Sequence, residues 1–289
     1  GTHMRTPTFA ERLHVLTDES TRLEEYLKAL PPPAWTKPSA CSQWQVQDVV
    51  AHLVGVAEFY AGTVVRGLQG ETSAPPGRAP AGKSTGASAA DSIAQRSIAA
   101  RKSLGDRLLD TFAASGRHLN QTLAGLGAEE RDKPCYHPGG IVAAQNFIEL
   151  RLKELGVHEW DIRAGLEPPA RMSPASFPAI LATISESIAS GSLRWAFWSG
   201  PAPATSVRYR FRVSGPGPTK PDLIIDGQTV RMEAAGSGRP QVTFDCDTET
   251  YILLVYGRLD LEAALASGRL QVEGDGQLAR AFGQWFRGI

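Results

Sequence analysis

Apolar residues near the N-terminus recur at helical spacing. Leu13, Leu16, Leu23, Tyr26, Leu27 and Leu30 predict a helix over about 9–30, and Pro31-Pro32-Pro33 stops it. A second apolar-periodic run predicts a helix over 43–68, with Ser42 and Gln45 in the spacing of a capping box. Residues 70–90 are rich in Gly, Ser, Ala and Pro and read as a long surface loop. A third helix is expected over 90–126 from Ile93, Ile98, Leu104, Leu108, Leu109, Phe112, Leu119 and Leu123, with Ser115-Gly116 as the point of interruption. The stretch Pro134-Cys135-Tyr136-His137-Pro138-Gly139-Gly140 carries too many turn formers to be helical throughout. A fourth helix follows over 141–164, with Gly165 at its C-cap. Four such segments joined by short or breaker-rich connections predict a four-helix bundle, an architecture that builds sites from side chains on facing helices.

The pattern changes near Pro168-Pro169. A helix is expected over 173–198, and then the period drops to two. Val207, Tyr209, Phe211 and Val213 alternate with Arg208, Arg210 and Arg212, which makes a strand with one apolar face. Further strands are expected over 222–226, 229–234 and 241–244, followed by helix, helix, short strand and helix over 247–289. The fold class is therefore α plus α+β: an N-terminal bundle over 5–167 and a smaller α+β domain over 168–289.

Composition narrows the function classes. Thirty basic and thirty acidic residues cancel, and no basic run stands out, so nucleic acid and anionic membrane are not expected partners. No secretory signal follows Met4, Gly1-Thr2-His3 reads as a vector remnant, and no apolar stretch is expected to span a bilayer. Three widely spaced cysteines, Cys41, Cys135 and Cys246, fit a reducing cytoplasm better than a disulfide framework.

Two separated patches carry the chemistry. Glu154 and His158 are four apart, so a helix presents both from one face, one turn above the other. His52, flanked by Val49, Val50, Leu53 and Val54, is the third member of a two-histidine, one-carboxylate set that holds a divalent metal with coordination positions left open. By itself the Glu-x-x-x-His spacing equally describes a solvated helix pair. Asp48 lies four residues before His52 and Asp161 three after His158, and either carboxylate is placed to accept a ring N–H or, alternatively, to cap a helix or form an exposed ion pair. Cys135 and His137 form a Cys-x-His pair that is better read as part of a loop at the mouth of the site than as a metal centre.

The phrase Cys41-Ser-Gln-Trp44-x-Val46-x-Asp48-Val-Val-Ala-His52-Leu53 resembles the signature of the mycothiol-dependent maleylpyruvate isomerase family of DinB-like metalloenzymes. Glu154-x-x-x-His158-x-Trp160-Asp161 resembles its second signature. The tail, from Leu253-Leu254-x-x-Gly257 through Gly268-x-Leu270 and Gly274-Asp275 to Phe286, is similar to a sterol-carrier-type domain. The resemblance implies a DinB-like bundle with a divalent metal, usually zinc, on His52, Glu154 and His158. It implies mycothiol or another small thiol as co-substrate and a small electrophile as substrate, with isomerase and S-transferase outcomes both open. A role in natural-product biosynthesis is as compatible with this as one in aromatic catabolism. The rival reading is a non-catalytic protein that binds a small apolar ligand or regulates. Arg208, Arg210 and Arg212 are anion-binding candidates if their strand face lines a cleft, and a solvated sheet face otherwise. Trp195, Trp198 and Trp285 are expected in packing. A monomer or homodimer is expected.

Overall fold

The computed structural model describes residues 5–83, 86–190, 197, 201–215, 220–234, 236 and 238–288. They form two compact units. The first takes in the chain through Ala81 and Ile93–Ala179, and the second Gly82–Ser92 and the chain from Ile180 onward. The boundary expected at 167/168 lies inside the first unit, where the Ser173 hydroxyl donates to Glu19 at 2.9 Å and ties this stretch to the first helix.

That first unit is a four-helix bundle of α1 (Phe9–Lys28), α2 (Val46–Leu68), α4 (Leu108–Ala124) and α5 (Phe147–Leu166), with α3 (Gly86–Leu104), which belongs to this unit from Ile93 onward, leading into α4. Each bundle helix packs on two others, in the cyclic order α1, α4, α2, α5. Thr8 caps α1 by accepting the Glu11 amide, and Leu16, Leu23 and Leu27 line its buried stripe. A 3-10 turn over Pro32–Thr36 follows the triple proline. The expected third helix is in fact two. The break falls at Gly105–Arg107, where Gly105 takes a φ of +52°, while Ser115 and Gly116 sit unbroken inside α4. Only glycine accepts that backbone without strain. The cap of α2 also differs from expectation: the Asp48 carboxylate, not the 42–45 pair, accepts the Gln45 amide at 3.0 Å. The fourth helix begins later than expected, because Val142–Ala143 (β2) pairs antiparallel with Pro134–Cys135 (β1).

Against the sequence expectation, α2 is long and apolar enough to cross a bilayer. Its apolar side chains are instead the centre of the bundle, with Val46, Val49, Val50, Leu53, Ala57 and Val64 all buried in the common core. A core helix satisfies the same length and composition test as a membrane span.

The second unit holds α6 (Phe177–Ala189) only in part, since the unit boundary falls within that helix. Trp195 and Trp198 lie outside the described residues, as does most of the C-terminal stretch of the helix expected to reach 198. Five strands follow: β3 (Val207–Ser214), β4 (Pro221–Asp226), β5 (Thr229–Ala234), β6 (Val242–Asp247) and β7 (Gln271–Gly274). They form one sheet in the order β5-β4-β3-β6-β7, antiparallel except for the central β3–β6 pair. Tyr209 and Phe211 of β3 and Phe244 of β6 meet Phe282 of α9 (Gly276–Trp285) in edge-on ring contacts. Trp285 is buried against Tyr209. Helices α7 (Thr248–Val255) and α8 (Leu261–Ala266) complete an α+β domain, with Asp247 and Asp260 as their N-caps.

Candidate metal centre

The facing surfaces of α2 and α5 bring His52, Glu154 and His158 together. One ligand atom from each lies within 4.8 Å of the others. His52 Nε2 is 3.0 Å and His158 Nε2 3.2 Å from the same oxygen, Glu154 Oε2. The other carboxylate oxygen accepts from Lys153 Nζ at 2.8 Å. All three side chains are largely shielded from solvent.

Asp161 sets the chemistry of this cluster. Its carboxylate lies 2.9 Å from His158 Nδ1, so that nitrogen carries the proton and donates it. Nε2 of the neutral ring is then a lone pair facing a carboxylate oxygen, which is also an acceptor. Two acceptors 3.2 Å apart in a buried site require a cation between them, either a proton or a metal. Without a metal the ring takes the proton. Burial opposes its charge, but hydrogen bonds to Asp161 and Glu154 outweigh burial and raise the His158 pKa. At His52 burial dominates and the pKa falls. Burial alone would raise Glu154, yet the charge of Lys153 and the two histidines hold it well below the usual carboxylate range. Two imidazole nitrogens and one ionised carboxylate, converging in a poorly solvated pocket, suit a borderline-soft divalent ion such as zinc.

Three further features frame the cluster. Trp44 stacks at a tilt over His52, with ring centroids 4.8 Å apart, and stands 5.9 Å from His158. Its loop is fastened to the end of α5, where the Ala40 amide donates to the Asp161 carbonyl at 3.0 Å. Gly165 permits this approach: a Cβ there would lie 2.3 Å from the Pro38 carbonyl oxygen. Lastly, Arg151 is fully buried and donates from Nη1 to the Leu53 carbonyl at 2.8 Å, while its Nε meets no acceptor among the described residues. Desolvation brings the Arg151 pKa down to about 10.

Over residues 16–163, just over half the chain, the sequence matches the family model described as the mycothiol maleylpyruvate isomerase N-terminal domain. The chain belongs to that family. Residues 202–287 match the SCP-2 sterol transfer family. Among solved structures, the crystal structure of the mycothiol-dependent maleylpyruvate isomerase aligns over 93% of this chain and 96% of its own, at 14% identity and a TM-score of 0.61. A histidine-to-alanine variant of that enzyme aligns with the same coverage, identity and TM-score. At such identity the likeness establishes the fold, a DinB-like helical domain followed by a smaller α+β domain. No curated protein sequence matches the chain.

Within this family member the residues singled out in sequence separate into those that meet and those that do not. Asp48 does not reach His52. Its Oδ1 accepts from Arg101 Nε at 2.9 Å and its Oδ2 caps α2, the helix-cap and ion-pair alternative. Arg208 and Arg210 both donate to Asp222, a fully buried carboxylate on the neighbouring strand, and Arg212 pairs with Asp245 and Glu273. Their charge is spent within the sheet, as on a solvated face. Cys135 is buried against Gly67, and burial raises its thiol to about 11. Neither Cys135 nor His137 joins the three-residue cluster. Sequence reasoning missed Lys153, whose adjacency to Glu154 was the available signal. It also missed Arg151, an arginine one turn before the carboxylate on an otherwise apolar helix face.

Asp161→Asn keeps the shape of the side chain and removes its charge. Loss of such an outer hydrogen-bond partner typically weakens metal binding 10- to 100-fold. A drop in zinc affinity of about tenfold or more is therefore expected, measured by competition with a chromophoric chelator. Unchanged affinity would show that the Asp161–His158 contact does not tune the site.

Proposed function

We propose that the chain is a divalent-metal-dependent enzyme that adds or transfers a low-molecular-weight thiol, mycothiol in the first instance, to a small electrophile. It acts as an isomerase when the thiol leaves again and as an S-transferase when it stays. The observation that carries this reading is the acceptor-facing-acceptor geometry of His158 and Glu154, completed by His52, in a member of the mycothiol maleylpyruvate isomerase family. His52, Glu154 and His158 would hold the ion. When bound, a divalent ion lowers the pKa of a coordinating thiol so that the thiolate predominates near neutral pH.

The remaining residues hold this arrangement in place. Asp161 fixes the His158 tautomer, and Lys153 keeps Glu154 ionised from the opposite oxygen. Trp44 walls the two imidazoles. None of the three cysteines is needed as a nucleophile. A cytoplasmic setting and use in specialised metabolism fit the same reading.

The test is direct. Protein dialysed against zinc is expected to retain about one ion per chain, as a three-ligand site with open positions should. With mycothiol present it should isomerise maleylpyruvate, or yield thioethers from a panel of conjugated carbonyl electrophiles as read by mass spectrometry. A folded, metal-replete protein that consumes no thiol and isomerises nothing would overturn the proposal. It would leave a binding role for the same fold.

A further inference from the structure

His137 lies outside the metal cluster, further along the two helices, α2 and α5, that carry it. It sits on the turn after β1, and this turn is fastened to α2 at two points. Thr63 Oγ1 donates to the Tyr136 carbonyl at 2.6 Å, and Gly67 leaves the space that Cys135 Sγ fills. The imidazole is framed by Tyr60 of α2 and Phe147 of α5, with ring centroids 5.9 and 6.2 Å away. Phe147 is two turns before Glu154 on the same face of α5. Both Lys153 and Glu154 are close enough to act on the charge of the His137 ring.

The tautomer of this ring is fixed by the backbone. The Gly139 amide donates to His137 Nδ1 at 3.0 Å, so Nδ1 must be the unprotonated nitrogen and the proton sits on Nε2. Burial, reinforced by Lys153, pushes the His137 pKa down to about 3, and the ring stays neutral at any physiological pH. Among the described residues the His137 ring makes this one hydrogen bond to Gly139, so Nε2 meets no acceptor there. The result is a neutral N–H donor of fixed tautomer, held between the two helices that carry the cluster and without a hydrogen-bond partner among the described residues. A histidine kept neutral in this way donates a hydrogen bond without giving up its proton.

We propose that the His137 Nε2–H is the hydrogen-bond donor to the carbonyl oxygen of the electrophile. This rests on the thiol-addition reading above. In that step the sulfur lone pair forms a C–S bond at the β-carbon of an α,β-unsaturated carbonyl. The C=C π pair moves toward the α-carbon, and negative charge collects on the oxygen as an enolate. His137 hydrogen-bonds that oxygen and transfers no proton. Collapse of the enolate after rotation about the new single bond breaks the C–S bond, expels the thiolate and leaves the other geometric isomer. Protonation at the α-carbon instead leaves a thioether.

The experiment uses full-length protein labelled with 15N-histidine, with and without zinc, and maleylpyruvate without thiol as the probe. The His137 resonances should report the Nε2–H tautomer, and the Nε2 signal should move on addition of the probe. His137→Phe should retain zinc and fold while kcat with mycothiol falls about 100-fold, the usual cost of losing one oxyanion donor. KM should change far less. His137→Gln, whose side-chain amide can place an N–H near the same point, should recover part of kcat, which a merely structural role would not predict. Loss of zinc from His137→Phe, an unmoved Nε2 signal in the wild type, or a folded His137→Phe with undiminished kcat would each overturn the proposal. A chain that takes up no zinc would sink the metal reading alone, and the response of the histidine to the probe would still decide this one.

Discussion

His52→Ala and His158→Ala are each expected to lose the divalent ion on dialysis while remaining folded. Removing the outer partner of a ligand costs roughly 10- to 100-fold in affinity, and removing a ligand itself from a three-donor site should cost more. The two variants are not equivalent in the metal-free protein. His158 also bonds Asp161, which is completely buried, so His158→Ala removes a hydrogen-bond partner from both Glu154 and Asp161. His52 contacts only Glu154 of the two, and Lys153 remains to pair that carboxylate in either variant. His158→Ala should therefore be the less stable, because it removes a hydrogen-bond partner from two buried carboxylates where His52→Ala removes one from a single carboxylate. Elemental analysis after dialysis and circular dichroism melts check both parts. Folded variants that keep the ion at wild-type stoichiometry would remove these histidines from the site.

Gly165→Ala should destabilise the first unit. The new Cβ would fall 2.3 Å from the Pro38 carbonyl oxygen and 2.9 Å from Ser39 Cα, and both are backbone atoms that cannot rotate away. Overpacking of this kind typically costs 1–3 kcal/mol, so a loss of about 2 kcal/mol is expected. At roughly 2–4 °C per kcal/mol for a chain of this size class, the melting temperature should fall by several degrees. The displaced segment carries Ala40 off Asp161 and shifts Trp44 over the imidazoles, so tryptophan fluorescence should change in parallel. Gly55→Ala and Gly62→Ala are the controls. Both glycines are exposed on α2 with nothing within 4 Å of the new methyl, and the higher helix propensity of alanine should stabilise each by up to about 1 kcal/mol. If Gly165→Ala melts with the wild type, the loop is not held as described.

Local rules reached part of this architecture. Glu154 and His158 share one helix, so their convergence follows from a period of 3.6 alone, and the apolar alternation of β3 follows from a period of two. The register of β3 against β6 is parallel and non-local, and no short-range signal announces it. The break between α3 and α4 was misplaced because two glycines competed for it. What separates them is backbone angle: Gly105 is at positive φ, while Gly116 stays helical and leaves room near the Arg151 guanidinium. The role of Asp48 was open for the same reason. Its partner Arg101 lies 53 residues on, and only packing brings the two together. Likewise the pairing of Arg208 and Arg210 with Asp222 depends on the β3–β4 register, in which Arg210 stands opposite Asp222.

The seating of the cysteines bears on the proposed use of a small thiol. Cys41, Cys135 and Cys246 are all buried, and burial raises Cys135 to about 11 and Cys246 to about 12. Exchange with an oxidised small-molecule thiol needs an accessible thiolate on the protein. Cys135 and Cys246 offer almost none near neutral pH, and Cys41 is buried as well. Under the proposed function the chain would meet the disulfide form of a thiol co-substrate without ready capture as a mixed disulfide.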